Sequence, residues 1–223
     1  MNVTPLGDAA LLLTVAAAPG LVASAAVFAM DAALRAAALP GVVAIVPAYT
    51  TLLVHFAPLT TDADALIAAI RALVPLPTPP PQRRWHVPIV YDGVDLAAVA
   101  AQLGLTPARV VALHAGAAYA VACLGFAPGF AYLTGLPPEL HVPRRATPRP
   151  QIPAGSVIVG GQQTAIMPTT LPSGWHVLGR ARLTLFAATR AAPSLLLPGD
   201  QLRFLPITAA ELADSVPRCE VLP

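Results

Sequence analysis

A segment with five prolines in seven residues, at positions 75–81, divides the chain. Proline fixes the backbone angle φ and lacks an N–H, so neither a regular helix nor a central strand runs through such a segment. A stretch of this composition acts as a stiff, extended spacer. With 223 residues, the chain has room for two small domains that each bury a core. We therefore predict two domains of different composition.

Apolar runs and helical patterns follow one another in a readable order up to residue 90. The predicted strands cover residues 10–15, 42–46 and 51–56, and the predicted helices cover residues 24–38, with Ser24 as its cap, and 62–74. An alternating run at 85–90, just beyond the spacer, predicts one more strand. The order strand, helix, strand, strand, helix, strand is that of a split βαβ, ferredoxin-like unit. We predict such a unit at residues 1–90.

Two short helices are predicted next, at residues 95–103 and 107–115, with Thr106 capping the second. The pair resembles a helix-turn-helix, since Gly104 falls in the turn. A recognition helix needs exposed polar or basic side chains, and only Thr106 and Arg109 provide them here. An ordinary helical hairpin on a core is favoured, and no nucleic-acid partner is expected.

From Tyr119 onward the pattern changes to short apolar runs between glycines and prolines. Closely spaced strands with turn signals are typical of a barrel or a sandwich. The predicted strands cover residues 157–159, 165–167, 175–178, 183–187 and 202–205. The fold class expected for the whole chain is therefore α+β, with a β-rich domain at residues 91–223.

The composition excludes several kinds of chemistry. All 13 basic residues are arginine, because the sequence contains no lysine, and this removes a P-loop, Schiff-base or biotinylated lysine. No glycine-rich phosphate loop follows a predicted strand, so we expect no ATP or other cofactor to be bound by this chain alone. The formal net charge of +2 is too small for a general nucleic-acid or membrane surface.

Residues 9–30 carry no charge and are long enough to span a membrane. Pro19 and Gly20 interrupt them, however, and Asp8 stands where a signal peptide has positive charge. The cysteines, Cys123 and Cys219, lie far apart and show no ligand or redox spacing. We expect a cytoplasmic protein with no membrane partner.

The segment between His141 and Gly199 contains six arginines and neither aspartate nor glutamate. The guanidinium fork suits carboxylate, phosphate or carbamate oxygens. The arginines could instead cap strand ends and pair with acids of the first domain, but interspersed polar residues favour a site for a small anionic substrate. The predicted charge donors are Arg144, Arg149 and Arg180, the predicted orienting residues are Ser156, Gln163 and Thr164, and Trp175 is the predicted wall.

No nucleophilic triad can be assembled, since the segment around Ser156 lacks the second glycine of a nucleophile elbow. His114 has apolar neighbours in a predicted helix and is interpreted as a core or interface residue. His141 and His176 border the arginine-rich segment and are the predicted catalytic residues for proton transfer near neutral pH. The five histidines show no metal-binding spacing, and no metal site is expected.

A long string of motifs resembles the KipI/PxpB family, whose members are also called the 5-oxoprolinase B subunit or allophanate hydrolase subunit 1. The resemblance covers nearly the whole chain. In the second half the motifs are 124–133 (LGFAPGFAYL), 143–149 (PRRATPR), 152–157 (IPAGSV), Gln163-Thr164, Gly174-Trp175 and Gly179-Arg180. In the first half they are 7–12 (GDAALL), 41–49 (GVVAIVPAY) and 52–56 (LLVHF). The resemblance implies an N-terminal ferredoxin-like domain and a C-terminal cyclophilin-like β-barrel.

The resemblance also implies partners. With a KipA/PxpC-like subunit and a LamB/YcsF/PxpA-like subunit, such chains form an ATP-dependent 5-oxoprolinase, a hydrolase that opens the lactam of 5-oxoproline to L-glutamate. It follows that the assembled complex uses ATP and that the isolated chain is inactive. Two alternatives stay open: a subunit of a carboxyltransferase or allophanate hydrolase, and a KipI-like inhibitor of a sensor histidine kinase that acts by protein contact.

The chain departs from the family pattern at several positions, some of them close to the predicted pocket. Ala131 stands where the family often has proline, Ala165 where it has glycine, and Ala181 where it has threonine. Met167 stands in place of tyrosine, and Ser173 in place of glycine. The departures leave the family assignment intact and leave the substrate open.

Overall fold

The computed structural model describes residues 1–76 and 83–222. The chain divides into two compact units, residues 1–82 and 83–223. The boundary therefore lies at residue 82 and not at the predicted residue 90. Most of the spacer predicted at 75–81 lies outside the described residues.

Within residues 1–76, four strands and two helices form the first unit. The strands are β1 (Asn2–Pro5), β2 (Ala10–Thr14), β3 (Val42–Pro47) and β4 (Thr51–Phe56), and the helices are α1 (Leu21–Ala37) and α2 (Ala63–Ala72). The sheet order is β1-β2-β4-β3, with all neighbours antiparallel. Helix α1 connects β2 to β3 while β4 lies between them, which is a split βαβ unit. Alternate residues such as Leu11, Leu13 and Val54 are buried in one core with Val27 and Ile70.

The sheet of the first unit differs from the prediction in one strand. Strand β1 lies beside β2, whereas the strand predicted at 85–90 belongs to a sheet of the second unit, so its assignment to the first unit is wrong. A ferredoxin-like arrangement is not confirmed. The predicted cap Ser24 is buried inside α1, which begins three residues earlier, at Leu21. Asp62, by contrast, caps α2, because its Oδ1 accepts hydrogen bonds from the backbone N–H groups of Asp64 (2.9 Å) and Ala65 (3.3 Å).

Among residues 83–222, the second unit contains ten strands, two α-helices and a 3₁₀ turn. The strands are β5 (Arg83–Ile89), β6 (Tyr119–Leu124), β7 (Ala131–Thr134), β8 (Arg149–Ile152), β9 (Ser156–Gly160), β10 (Gln163–Ile166), β11 (Leu171–Ser173), β12 (His176–Arg180), β13 (Gln201–Pro206) and β14 (Arg218–Val221). The helices are α3 (Leu96–Gln102) and α4 (Pro107–Gly116), and the turn is Pro138–Leu140. The mixed α+β class is as predicted.

Eight of these strands form one sheet, in the order β12-β9-β10-β7-β6-β13-β5-β14, and β8 pairs with β11 separately. Strand β5 runs parallel to β13 and antiparallel to β14, which is why it belongs to the second unit. The predicted strand at 183–187 contributes only an isolated bridge at Phe186. The sheet has β12 and β14 as its end strands, and a closed cyclophilin-like barrel is not confirmed.

The chain leaving β5 crosses to β12 and brings two aspartates, Asp92 and Asp95, close to this end strand. Val90 and Arg180 exchange two backbone hydrogen bonds of 2.9 Å, and the N–H of Gly93 donates to the carbonyl of Leu178 at 3.0 Å. A side chain at Gly93 would place its Cβ 2.3 Å from the Leu178 carbonyl carbon, so only glycine allows this approach.

The predicted helical hairpin is present as α3 and α4. The Oγ1 of Thr106 accepts a hydrogen bond from the backbone N–H of Arg109 at 3.2 Å, which confirms the predicted cap. Val99 of α3 and Val110 of α4 are buried in the core of the second unit. No single helix in the described ranges is long and apolar enough to cross a membrane, and α3 with α4 would reach that length only as a pair bent by 95°.

Candidate functional site

A cleft of about 330 Å³ opens in the second unit. Its volume suits a small molecule rather than a macromolecule. Three loop regions surround it: the connection from β6 to β7, the segment before β8, and the segment around β11. The lining residues are Phe126, Phe130, Tyr132, Arg144, Arg145, Pro148, Pro172, Ser173, Gly174 and Trp175.

Aromatic rings form one wall of the cleft. The Trp175 side chain is buried, and its ring meets those of Phe130 and Tyr132 edge to face, with centroids 6.2 and 6.1 Å apart. Gly160 makes room for the indole, since an added Cβ there would lie 2.7 Å from the Cγ of Trp175. Trp175 thus occupies the wall position for which it was predicted.

Arg144 provides an available positive charge in this cleft. Its guanidinium carbon lies 5.7 Å from the centroid of the Trp175 ring, a cation–π contact that holds the group against the aromatic wall. No ion pair joins Arg144 to a carboxylate within residues 1–76 or 83–222. Its donors are therefore open to an anion in the cleft.

Arg145 and Arg149 share one buried carboxylate, that of Asp95, and we call these three residues the Asp95 cluster. The Nη1 and Nη2 atoms of Arg149 lie 2.5 and 2.7 Å from the two oxygens of Asp95, and the Nη1 of Arg145 lies 3.1 Å from Oδ1. The backbone N–H of Val177 also donates to Asp95, at 2.8 Å. Burial alone would raise the pKa of Asp95, but these hydrogen bonds and the two positive charges together hold it below its usual value.

The three predicted charge donors thus have different environments. Arg144 lines the cleft, Arg149 is committed to Asp95, and Arg180 pairs with Asp92 through its Nε at 2.8 Å, where both side chains are exposed. Asp92 and Asp95 both belong to the second unit, so Arg149 and Arg180 do not pair with acids of the first domain as the alternative predicted. Arg145 completes the charged side of the cleft and was not among the predicted site residues.

The predicted orienting residues do not line the cleft. Thr164 is fully buried, and its hydroxyl donates to the carbonyl of Ile158 at 2.9 Å. Ser156 is buried in β9, and Gln163 is half-buried at the start of β10. Strands β9 and β10 are buried along nearly their whole length, so these side chains are placed by the core of the second unit.

Thr164 instead ends a polar chain that runs through the core to His114. The Nε2 of His114 lies 3.0 Å from the Thr164 hydroxyl, and the Nδ1 lies 2.8 Å from the hydroxyl of Tyr91. Because Thr164 gives its proton to Ile158, Nε2 has to donate and Nδ1 has to accept from Tyr91. Burial lowers the pKa of His114 to about 3, so the ring is neutral. The predicted core role of His114 is confirmed.

The predicted catalytic histidines bind backbone carbonyls. The Nε2 of His141 lies 3.1 Å from the carbonyl oxygen of Leu136, and the Nε2 of His176 lies 2.9 Å from that of Pro143. A carbonyl oxygen only accepts, so each Nε2 donates its proton. Neither histidine lines the cleft, and His176 instead anchors the residue that precedes Arg144.

No site role is predicted from the sequence for the aromatic residues in the β6–β7 connection and at the start of β7. Phe126, Phe130 and Tyr132 all belong to the motif at 124–133, so the density of aromatic residues and glycines in that motif was the available signal. Among the residues that the structure describes, no group of three or more histidines, cysteines, aspartates or glutamates could hold a metal ion. The cleft is therefore built from arginine and aromatic side chains.

The family model for the carboxyltransferase domain, subdomain C and D, matches residues 1–196. The chain belongs to this family. It is 50% identical to the 5-oxoprolinase B subunit of Escherichia coli O157:H7 over 130 residues, which cover 57% of this chain and 60% of that one. It is 39% identical to the 5-oxoprolinase B subunit of Haemophilus influenzae over 160 residues, 70% of this chain and 73% of that one. The predicted membership of the KipI/PxpB family is thereby confirmed.

A solved structure also resembles this fold. The protein TTHA0988 superimposes with a TM-score of 0.80 and 36% identity, over 90% of this chain and 40% of that protein. The match spans 60% of the Escherichia coli relative and less than half of TTHA0988, so it concerns part of each of these proteins.

Proposed function

We propose that this chain is the B subunit of an ATP-dependent 5-oxoprolinase complex that opens 5-oxoproline to L-glutamate in the cytoplasm. The partners would be a KipA/PxpC-like subunit and a LamB/YcsF/PxpA-like subunit, and ATP would be used by the assembled complex. The names of the relatives support the reaction. The observation that carries the proposal is the unpaired guanidinium of Arg144 against an aromatic wall.

The chemistry of 5-oxoproline fits this cleft. The substrate combines a carboxylate with a small five-membered lactam ring. The planar fork of Arg144 can donate two hydrogen bonds to such a carboxylate, and the ring can lie against Trp175. Of the three arginines 144, 145 and 149, the last two pair with the single carboxylate of Asp95 and Arg144 does not, so the region keeps a net positive charge that favours an anion.

The role of the chain in this proposal is binding and orientation. The described lining residues include two hydroxyl side chains, those of Ser173 and Tyr132. No histidine among them could activate Ser173 as a nucleophile. Placing the carboxylate would orient the lactam carbonyl toward groups that the partner subunits supply.

We predict that the isolated chain hydrolyses no ATP in the presence of 5-oxoproline, because it has neither a lysine nor a phosphate-binding loop. Activity should appear when both partner subunits are added. The measurement is release of inorganic phosphate and glutamate, with each subunit omitted in turn. Robust turnover by this chain alone would contradict the proposed division of labour.

Replacing Arg144 with Ala should lower kcat/KM of the complex for 5-oxoproline by about ten- to a hundredfold, because a charge-assisted hydrogen bond of roughly 1.5–3 kcal/mol is lost. The melting temperature should change little, since the side chain is exposed. Arg144→Lys keeps the charge without the fork and should recover only part of the rate.

Arg180→Ala is the matched control, because Arg180 is also exposed but pairs with Asp92 away from the cleft lining. Its kcat/KM should stay within about twofold of the wild type, since an exposed pair of this kind contributes roughly 0–1 kcal/mol. Equal losses in Arg144→Ala and Arg180→Ala, or full activity in Arg144→Ala, would refute a specific anion site at Arg144.

Carboxyl transfer is a second candidate, favoured by the description of the matching family as a carboxyltransferase domain. A carboxyl group in transit is also a planar anion and could bind Arg144. Turnover of urea with bicarbonate, and none of 5-oxoproline, by the reconstituted complex would select this candidate.

A further inference from the structure

Phe126 has an unusual backbone conformation at the rim of the cleft. Its φ angle is 67°, and Ala38 is the other non-glycine residue with positive φ in the described ranges 1–76 and 83–222. A bulky side chain is disfavoured there, because its Cβ crowds the following carbonyl. The side chain is nevertheless 61% exposed and lines the cleft.

The loop around Phe126 holds this conformation through backbone hydrogen bonds. The N–H of Ala127 donates to the carbonyl of Gly125 at 2.7 Å, which closes a three-residue turn over Phe126. With positive φ at the central residue this is the rare and strained form of the γ-turn. Phe130 N–H donates to the Ala127 carbonyl at 2.9 Å, and Gly125 N–H donates to the Phe130 carbonyl at 3.2 Å.

The ring contacts that the structure describes within the second unit do not account for this arrangement. The Phe126 ring meets the ring of Phe130 edge to face, with centroids 5.3 Å apart, but most of its surface faces solvent. A glycine would adopt the same turn without strain. Residues held by their surroundings in such sparsely populated conformations cluster at active sites and ligand-binding sites.

Phe126 and Arg144 lie on different loops that line the same cleft. The Phe130 ring makes edge-to-face contacts with both Phe126 and Trp175. The aromatic surface therefore continues from the rim to the wall behind Arg144. A ligand whose carboxylate binds Arg144 would place its apolar part against this surface.

We propose that Phe126 is a specificity-determining residue whose ring contacts the two ring methylene groups of 5-oxoproline when the carboxylate binds Arg144. This inference rests on the proposed function and adds a contact for the apolar side of the substrate. The strained turn holds the ring in place before the substrate arrives, so binding does not have to order it.

The test compares wild type, Phe126→Ala and Phe126→Gly in the reconstituted three-subunit complex with 5-oxoproline. Both variants should raise KM about tenfold and leave kcat within about twofold, because the contact is equal in ground state and transition state. Phe126→Gly should melt roughly 2–4 °C above Phe126→Ala, since both lack the ring and only alanine keeps the backbone strain.

Ala38→Gly is the matched control. Ala38 is an exposed residue with φ of 44° at the end of α1 in the first unit, so glycine should raise the melting temperature there by a similar amount while KM stays unchanged. An increase in KM in this control would show that altered stability, and not loss of the ring, changes KM.

Other results would overturn the inference. An active wild type with unchanged KM in both Phe126 variants would do so, as would equal melting temperatures of Phe126→Ala and Phe126→Gly. Activity that returns at higher concentrations of the partner subunits would assign Phe126 to a subunit interface instead. A wild-type complex that does not turn over 5-oxoproline at all would refute the proposed function, and that result is visible before any variant is compared.

Discussion

Replacing Asp95 with Ala is expected to lower the free energy of unfolding by about 1.5–3 kcal/mol, because a buried carboxylate that accepts charge-assisted hydrogen bonds from two half-buried arginines is removed. Arg145 and Arg149 would both lose their carboxylate, and the backbone N–H of Val177 would lose its acceptor. Loss of this partly buried hydrogen bond adds to the effect. Urea unfolding of the variant and the wild type measures the difference.

Asp92→Ala is the control for this experiment. Asp92 lies three residues before Asp95 and also pairs with an arginine, Arg180. Both side chains of this pair are exposed, 42% for Asp92 and 53% for Arg180, whereas the Asp95 side chain is 4% exposed. We expect a loss of less than about 1 kcal/mol for Asp92→Ala. If the two alanine variants unfold at the same urea concentration, the buried cluster does not have the structural role assigned to it.

Acidification is expected to destabilise the protein through His114. The unfolded state binds a proton below about pH 6.5, whereas the pKa of His114 in the folded state is about 3. The contribution is therefore fully present above pH 6.5 and is lost as the pH falls toward 3, at roughly 1.4 kcal/mol for each pH unit. Between pH 6.5 and 4 the free energy of unfolding should drop by about 3 kcal/mol from this residue alone.

His114→Gln separates this effect from other titrating groups. The glutamine amide can still donate and accept hydrogen bonds but does not titrate, so the variant should start less stable and show a shallower fall between pH 6.5 and 4. His55→Gln, at an exposed strand position, should keep the wild-type slope. A wild-type slope in His114→Gln would mean that another group causes the acid sensitivity.

The elements that could be predicted are those whose pattern is local. Strand β4 matches the predicted range, and α2 begins after the predicted Asp62, because alternation and capping depend on near neighbours. Strand β1 was missed because it is a four-residue segment ending in Pro5 and is mostly exposed. The unit to which β5 belongs depends on β13, more than a hundred residues later, and periodicity carries no information about such pairing.

The same distinction applies to the cleft. An excess of arginines between His141 and Gly199 indicated an anion site, and Trp175 and Arg144 do line one cleft. Which arginine stays available depends on Asp95, whose partners lie 50 and 54 residues away. Thr164 differs in another way, since its position in a polar motif predicts a ligand contact, whereas its side chain faces the core and bonds to His114.

The attachment of the residues on either side of Arg144 limits the conformational entropy that anion binding has to overcome. The carbonyl of Pro143 accepts from His176, and Arg145 is held twice, by its N–H on the carbonyl of Gly174 at 2.7 Å and by its side chain on Asp95. Immobilising a long side chain costs roughly 0.5–1.5 kcal/mol, and ordering a loop adds to this. In the protein only the rotamers of Arg144 remain to be fixed, so the conformational part of the cost of binding an anion is small.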